Sequence, residues 1–294
     1  MRRQIHTFPQ KKLHLGIPWE LNRCPCKETC VIVTYFHVIQ SDKLIKTVEY
    51  TKNLETVADH SSLKKKDDDM KLLDKIIIQA KKDIQTIVLP EGKDKRIQDA
   101  ARVLKNENIL NVVVLVNEKD NDDSVNQLVT DGVNVIVIEK SEKLNLYTEK
   151  LYELRKAKGM TQDKAKDMIL NPIYFGVLMV KNGDAGGMVA GAITSTGDVL
   201  RPALQILKTA KDVLLVSTLF LMEIPKSTNL SSSVFAFSDC GLVVNPNAEE
   251  LSEIAIQTAK SFDFLTKEEP RVAMLSYSTF GSAKGDLVNK VVMA

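Results

Sequence analysis

Three short runs in which nearly every residue is apolar dictate the architecture: Thr86 to Leu89 (TIVL), Asn111 to Val116 (NVVVLV) and Val133 to Ile138 (VNVIVI). A strand with one face in water alternates apolar and polar residues, whereas a strand apolar at successive positions is buried on both faces. Around these runs the period becomes helical. Lys95 to Lys105 places Ile97, Ala100, Ala101 and Leu104 on one side, and MKLLDKIIIQAKK from Met70 repeats Leu72, Ile76 and Ile77 at helical spacing. Doubly apolar strands separated by helices predict a parallel sheet covered on both faces, the α/β class.

That pattern begins only near residue 70. All four histidines (His6, His14, His37, His60), the only tryptophan (Trp19) and three of four cysteines (Cys24, Cys26, Cys30) precede it. Residues 1–69 carry 12 Lys and Arg against 9 Asp and Glu, net +3, while the remainder is net −1. The join, Lys64-Lys65-Lys66-Asp67-Asp68-Asp69, buries nothing and reads as a solvated linker or helix lead-in. Three units are expected: an unrelated, poorly ordered segment 1–69, a first α/β domain 70–213 and a partial second one 214–294. Within 1–69 one strand is expected, Cys30 to Ile39, without a partner. The basic opening has two arginines before Glu20 and no amphipathic period, so a targeting peptide is disfavoured. Cys24, Cys26, Cys30 and His37 lack the paired C-x2-C spacing that lets two thiolates reach one zinc ion, and no metal is expected.

The 294 residues are 44% hydrophobic and 27% charged, enough for one large or two ordinary cores. A net charge of +2 with 5% aromatic residues argues against nucleic-acid binding. The longest apolar stretch, near Val213 to Ile224, falls short of the roughly 20 residues of a membrane span. Four cysteines are too few for a disulfide framework, and a cytoplasmic location is expected.

Two stretches carry chemistry. Asn182 to Gln205, NGDAGGMVAGAITSTGDVLRPALQ, holds five glycines, four ahead of Thr194-Ser195-Thr196 and Gly197 just after it, and Arg201-Pro202 then opens an apolar helical stretch. Glycines let backbone N–H groups approach phosphate oxygens, hydroxyls donate further bonds, and a helix N-terminus adds positive charge. Neither a dinucleotide fingerprint nor a P-loop is present. A tight interior crossing that admits only small residues explains the same glycines equally well. The second stretch follows an expected strand, Arg271 to Leu275, with Ser276, Ser278, Thr279, Ser282 and Lys284 ahead of another helix; capping that helix is the alternative to anion binding. Two anion sites imply a substrate with several phosphates or two anionic substrates.

NPIYFGVLMVKNGDAGGMVAGAITSTGDVLRPALQ, FSDCGLVVNPN and MLSYSTFGSAKGDLVNKV, with IVLPEGKDKRIQDAA before them, resemble the phosphate acetyltransferase (phosphotransacetylase) family from Met70 to about Val292. The resemblance implies interconversion of acetyl-CoA and phosphate with acetyl phosphate and CoA, without a resident cofactor. It further implies two α/β domains of isocitrate dehydrogenase-like type around a cleft, assembled as a homodimer. Two family arginines that support CoA binding match Arg155 and Arg201, and Ser195, Thr196, Ser278, Thr279, Ser282 and Lys284 become candidate contacts for CoA or phosphate. Without the resemblance, Arg155 beside Lys156 and Lys158 reads as a solvated cation.

In this family the CoA thiolate attacks acetyl phosphate directly. Cys240 has no histidine to activate it and reads as a packed thiol; Asp184 and Asp239 are either bases or turn and cap residues. The family's Ser-Arg pair and nearby Asp have no match here, so the expectation is a C-terminally truncated, inactive chain with an exposed second-domain face. A phosphate butyryltransferase and a non-catalytic CoA-binding module are the alternatives; an isocitrate-type dehydrogenase lacks its aspartate cluster.

Overall fold

The computed structural model describes residues 31–40, 43–50, 70–210, 213–224, 234–279 and 281–294, the first two ranges as backbone only. Strand β1 (Val31–Gln40) and strand β2 (Lys43–Tyr50) pair antiparallel from Val33 with Tyr50 to Gln40 with Lys43. The strand expected near Cys30 to Ile39 therefore has a partner that no local apolar period announced. Cys24, Cys26 and Cys30 lie outside the described residues, as does the His37 side chain.

Next come helix α1 (Leu72–Ala80), β3 (Thr86–Leu89), α2 (Lys95–Asn106), β4 (Asn111–Val116), α3 (Asp123–Thr130) and β5 (Asn134–Val137). Helices α4 (Leu144–Arg155), α5 (Gln162–Ile169) and α6 (Pro172–Asn182) lead to the two-residue strand β6 (Gly187–Met188) and α7 (Thr196–Ile206). The four strands form one parallel sheet in the order β5-β4-β3-β6. Its doubly apolar strands serve two cores. Val112, Val114 and Val116 of β4 pack with Ala101, Val125 and Leu128 of α2 and α3. Val113 and Leu115 point the other way, against Tyr147, Leu151, Ile169, Phe175 and Leu178 of α4 to α6. The α/β expectation holds for this sheet.

Helix α6 is the centre of the second core. Asn171 caps it, its side chain accepting from Ile173 N–H at 2.9 Å, and Pro172 occupies the first turn, where its missing N–H costs nothing. Ile173 and Phe175 to Val180 are all buried, as an all-apolar IYFGVLMV helix requires. Tyr147 meets Phe175 edge to face at 4.9 Å, docking α4 on α6. That contact sets the line along which α4 delivers Arg155.

Strands β7 (Leu219–Glu223) and β8 (Val234–Ser238) pair with β1 in a second sheet, β2-β1-β7-β8, and helices α8 (Ala248–Thr266) and α9 (Asp286–Met293) follow. Every pairing in this sheet is antiparallel, where parallel strands were expected. Its core joins Leu219, Leu221 and Val234 to Leu72 and Ile76, with Phe262 and Leu265 of α8 against it. Helix α1, which opens the alternating pattern along the chain, thus packs beside the later sheet, and its Leu72 N–H donates to Glu223 at 2.9 Å. The strand expected at Arg271 to Leu275 is irregular instead, with Val272 56% and Leu275 78% exposed, and among the described residues no neighbouring strand completes a ladder for it.

Candidate functional site

The strand order of the parallel sheet reverses at β3: the chain moves from β3 to β4 and β5, then returns to β6 on the other side. The crevice beyond the carboxyl ends of strands at such a reversal is where open α/β sheets bind ligands. Here it receives Pro90-Glu91-Gly92 from β3 and Gly191 to Ser195 from β6.

Backbone N–H groups of this glycine-rich loop do converge on an anion, and the anion is the chain's own. Glu91 Oε2 accepts from Gly191 and Ala192 at 2.9 and 2.8 Å, and Oε1 accepts from Ile193 and Thr194 at 2.9 and 2.7 Å. Gly191, at φ 119°, makes the turn that aims successive amides at one point. Burial alone raises the Glu91 carboxyl, but the bonds from Thr194, Ile193, Ala192 and Gly191 together hold it below the ordinary glutamate range. Arg96 adds the opposite polarity: its Nη2 donates to the Ala192 carbonyl at 2.8 Å, and Asp94 holds the same guanidinium. The anion-binding expectation for this backbone is thereby corrected: its N–H groups are already filled, because a carboxylate at the end of β3 lies within reach. Residue patterns could not reveal this, since Glu91 is a single acid about a hundred positions away.

Ser195 is the N-cap of α7, its Oγ accepting from Asp198 N–H at 3.2 Å and donating to Asp198 Oδ2 at 2.7 Å. Thr196 is the exposed first residue of that helix. Helix α7 therefore starts before Arg201-Pro202, which lie in its interior, not at its opening. Arg201 projects from the second turn, 64% exposed, with a loose contact to Asp198 at 3.6 Å. Arg155, the last residue of α4, is half-buried; its Nε is shielded from solvent and has no hydrogen-bond partner among the described residues. That departs from an ordinary solvated cation.

Tyr174 of α6 joins the two arginines. Its hydroxyl donates to Gln205 Oε1 on α7 at 3.3 Å. Burial raises its pKa, while the positive charges of Arg201 and Arg155 pull it down, so both guanidinium groups lie within its electrostatic reach. Arg155 of α4 and Arg201 of α7 thus both act on Tyr174 of α6, whose hydroxyl meets Gln205 in the last turn of α7. Neither Tyr174 nor Gln205 was singled out by the sequence; the signal available was the polar hydroxyl inside an otherwise apolar helix.

The later hydroxyl group closes on itself. Ser278 Oγ lies 3.1 Å from Ser282 Oγ, Thr279 Oγ1 donates to Ser282 Oγ at 2.8 Å, and Ala283 N–H donates to Ser278 Oγ at 3.0 Å. Ser276 Oγ accepts from Ser278 N–H at 3.1 Å, and Lys284 is exposed. Helix α9 has Gly285 at its N-cap and no side-chain cap, so these hydroxyls do not cap it. Among the described residues no hydrogen bond or ion pair links this group to Arg155 or Arg201.

Asp184 is engaged by Lys143, Tyr147 and Asn182; burial raises its carboxyl and these donors lower it below the ordinary range. Asp239 accepts from Gly241, Leu242 and Val243 N–H at 2.6, 2.9 and 3.1 Å and from Thr218 Oγ1 at 2.7 Å. Burial pushes it up, and those bonds hold it down. Two carboxylates held below their ordinary range by donors are poor proton acceptors; Asp239 fixes a turn, and Asp184 ties the end of α6 to Lys143 and Tyr147. Cys240 donates to Thr218 Oγ1 at 3.2 Å, and burial raises its thiol pKa, as suits a packed thiol. No cluster of three or more His, Cys, Asp or Glu among the described residues could hold a metal, and no helix is long and apolar enough to cross a membrane.

The model of the phosphate acetyl/butaryl transferase family matches residues 71–294. The phosphate acetyltransferase of Acetivibrio thermocellus is 49% identical over 225 residues, covering 76% of this chain and 68% of that protein. The enzyme of Thermoanaerobacterium thermosaccharolyticum is 46% identical over 222 residues, with the same coverage of 76% and 68%. Among solved structures, the EutD phosphotransacetylase from Staphylococcus aureus aligns with TM-score 0.64 at 35% identity, covering 76% of this chain and 66% of that one. A phosphotransacetylase from Streptococcus pyogenes aligns with TM-score 0.66 at 36% identity, covering 74% and 65%. The chain spans about two thirds of the length of these relatives. From residue 71 onward, the chain belongs to the phosphate acetyl/butaryl transferase family.

Proposed function

We propose that this chain is the CoA-binding part of a cytoplasmic phosphate acetyltransferase, which interconverts acetyl-CoA and phosphate with acetyl phosphate and CoA as a homodimer. Coenzyme A enters as a substrate, with no resident cofactor. The observation that carries the proposal is Arg155 Nε, shielded from solvent and without a hydrogen-bond partner among the described residues, on a side chain whose charge, like that of Arg201, reaches Tyr174. Guanidinium groups hold phosphate oxygens with charge-assisted, often bidentate bonds, and an incoming phosphate would satisfy an orphaned N–H. Thr196 adds an exposed hydroxyl at the start of α7, and Ser278, Thr279, Ser282 and Lys284 form a second polar group suited to the smaller phosphate substrate.

In this reading the CoA thiol loses its proton to a base and the thiolate attacks the acetyl carbonyl, releasing phosphate. Asp184 and Asp239 do not supply that base, for the reasons of geometry above, so the proposal gives these residues binding without turnover. The test is thioester formation from CoA and acetyl phosphate by the purified chain, beside a fusion carrying a complete family C-terminus after Val292, each repeated with butyryl phosphate. Turnover by the fusion alone, faster with acetyl phosphate, is expected. Turnover by the chain itself would contradict the assignment of the base elsewhere. Preference for butyryl phosphate would move the reading to the butyryl enzymes, and CoA binding without turnover in a folded fusion would move it to a binding module.

A further inference from the structure

We propose that Glu91 is a positioning residue: a resident carboxylate that fills the amide cradle of residues 191–194 and so fixes the start of α7, with Thr196 and Arg201, for the phosphates of CoA. The inference rests on the CoA-binding reading. Loops of this kind ordinarily cradle a ligand's phosphate, yet here all four amides are taken by one internal group at 2.7 to 2.9 Å, two on each oxygen. Glu91 is only 5% exposed, so it does not reach out to a ligand. The loop it grips runs directly into the N-cap Ser195, and with four consecutive peptides tied to one rigid carboxylate, the first turn of α7 has little freedom left. Arg96, donating to the Ala192 carbonyl, secures the same loop from its other polarity. The carboxylate itself is anchored because Gly92 N–H, the next residue, donates to Leu115 of β4 at 3.1 Å.

The chemistry of the cradle makes the role separable from packing. Glutamine has the same shape, but its NH2 would confront two N–H donors in place of an acceptor. Alanine leaves the cradle open to a small carboxylate added from solution. The experiment measures amide exchange at 191–194 and CoA affinity by calorimetry for the wild type, Glu91→Gln, Glu91→Ala with and without formate, and Arg201→Ala.

Exchange at 191–194 in both Glu91 variants should rise roughly tenfold or more, with β4 amides still protected, and CoA affinity should fall about tenfold, the loss of one charge-assisted contact. Formate should restore both properties in Glu91→Ala and leave Arg201→Ala unimproved. Unchanged exchange at 191–194 overturns the assignment, as does faster exchange with unaltered CoA affinity. Loss of cooperative melting in both Glu91 variants, unrescued by formate, makes the residue a folding element and overturns the positioning role. If the wild type does not bind CoA, the function reading falls by itself. Exchange alone then decides for Glu91: protection restored by formate supports the fixing of α7, and unaltered protection refutes it.

Discussion

Asp239 shows how a residue with catalytic credentials is diverted to structure. Its two oxygens collect four backbone N–H groups, of Thr218, Gly241, Leu242 and Val243, and the Thr218 hydroxyl, fixing the turn after β8. Asp239→Asn presents an NH2 to donors that need an acceptor, and should destabilise the fold by about 1 to 3 kcal/mol. The pH dependence has a definite sign. Because the folded carboxyl is held below its unfolded value of about 3.9, its contribution is complete above that pH and is lost as pH falls through the lower folded value. Acid titrations of melting temperature should therefore fall less steeply below pH ~4 in Asp239→Asn than in the wild type; parallel curves would contradict the account. Arg201 could be singled out as a candidate from the sequence because it stands beside a hydroxyl cluster. Glu91 and Tyr174 were not, since each acquires meaning only from partners on other elements, 100 and 31 positions away in the contacts that define them.

Among the elements, the parallel sheet was readable because burial on both faces leaves a mark in every strand, and β4 uses alternate valines for two different cores. The antiparallel sheet was not. Its strands β1 and β7 are far apart in sequence, and their pairing leaves no local period. Arg271 to Leu275 has a strand's composition without a neighbouring strand among the described residues. The end of β3 carries a different constraint. A Cβ on Gly92 would lie 2.5 Å from the Leu115 carbonyl oxygen and 2.5 Å from Val114 Cγ1, so the loop bearing Glu91 packs directly on β4. Gly92→Ala should lower stability by about 1 to 3 kcal/mol in denaturant titrations, since backbone cannot yield as a flexible side chain does. A change within 0.5 kcal/mol would show that the close approach is not a real restriction.

Over the chain as a unit, several large apolar side chains after residue 240 stay outside the cores. Val244, Leu275, Tyr277, Val292 and Met293 are each at least 68% exposed. Surfaces of this kind drive association, so sedimentation should show larger species growing with concentration, reduced by Val292→Lys with Met293→Lys; a monomer at all concentrations would contradict this. The proposed CoA patch lies on the other unit of packing, where α4, α6 and α7 meet the parallel sheet, and its chemistry is testable without turnover. Calorimetric titration of CoA into the purified chain puts the account most directly at risk. Saturable binding at one site per chain is predicted, weakened about tenfold or more by Arg155→Ala and by Arg201→Ala with melting temperatures unchanged. Absence of binding, or binding indifferent to both substitutions, would contradict the assignment of this patch to coenzyme A.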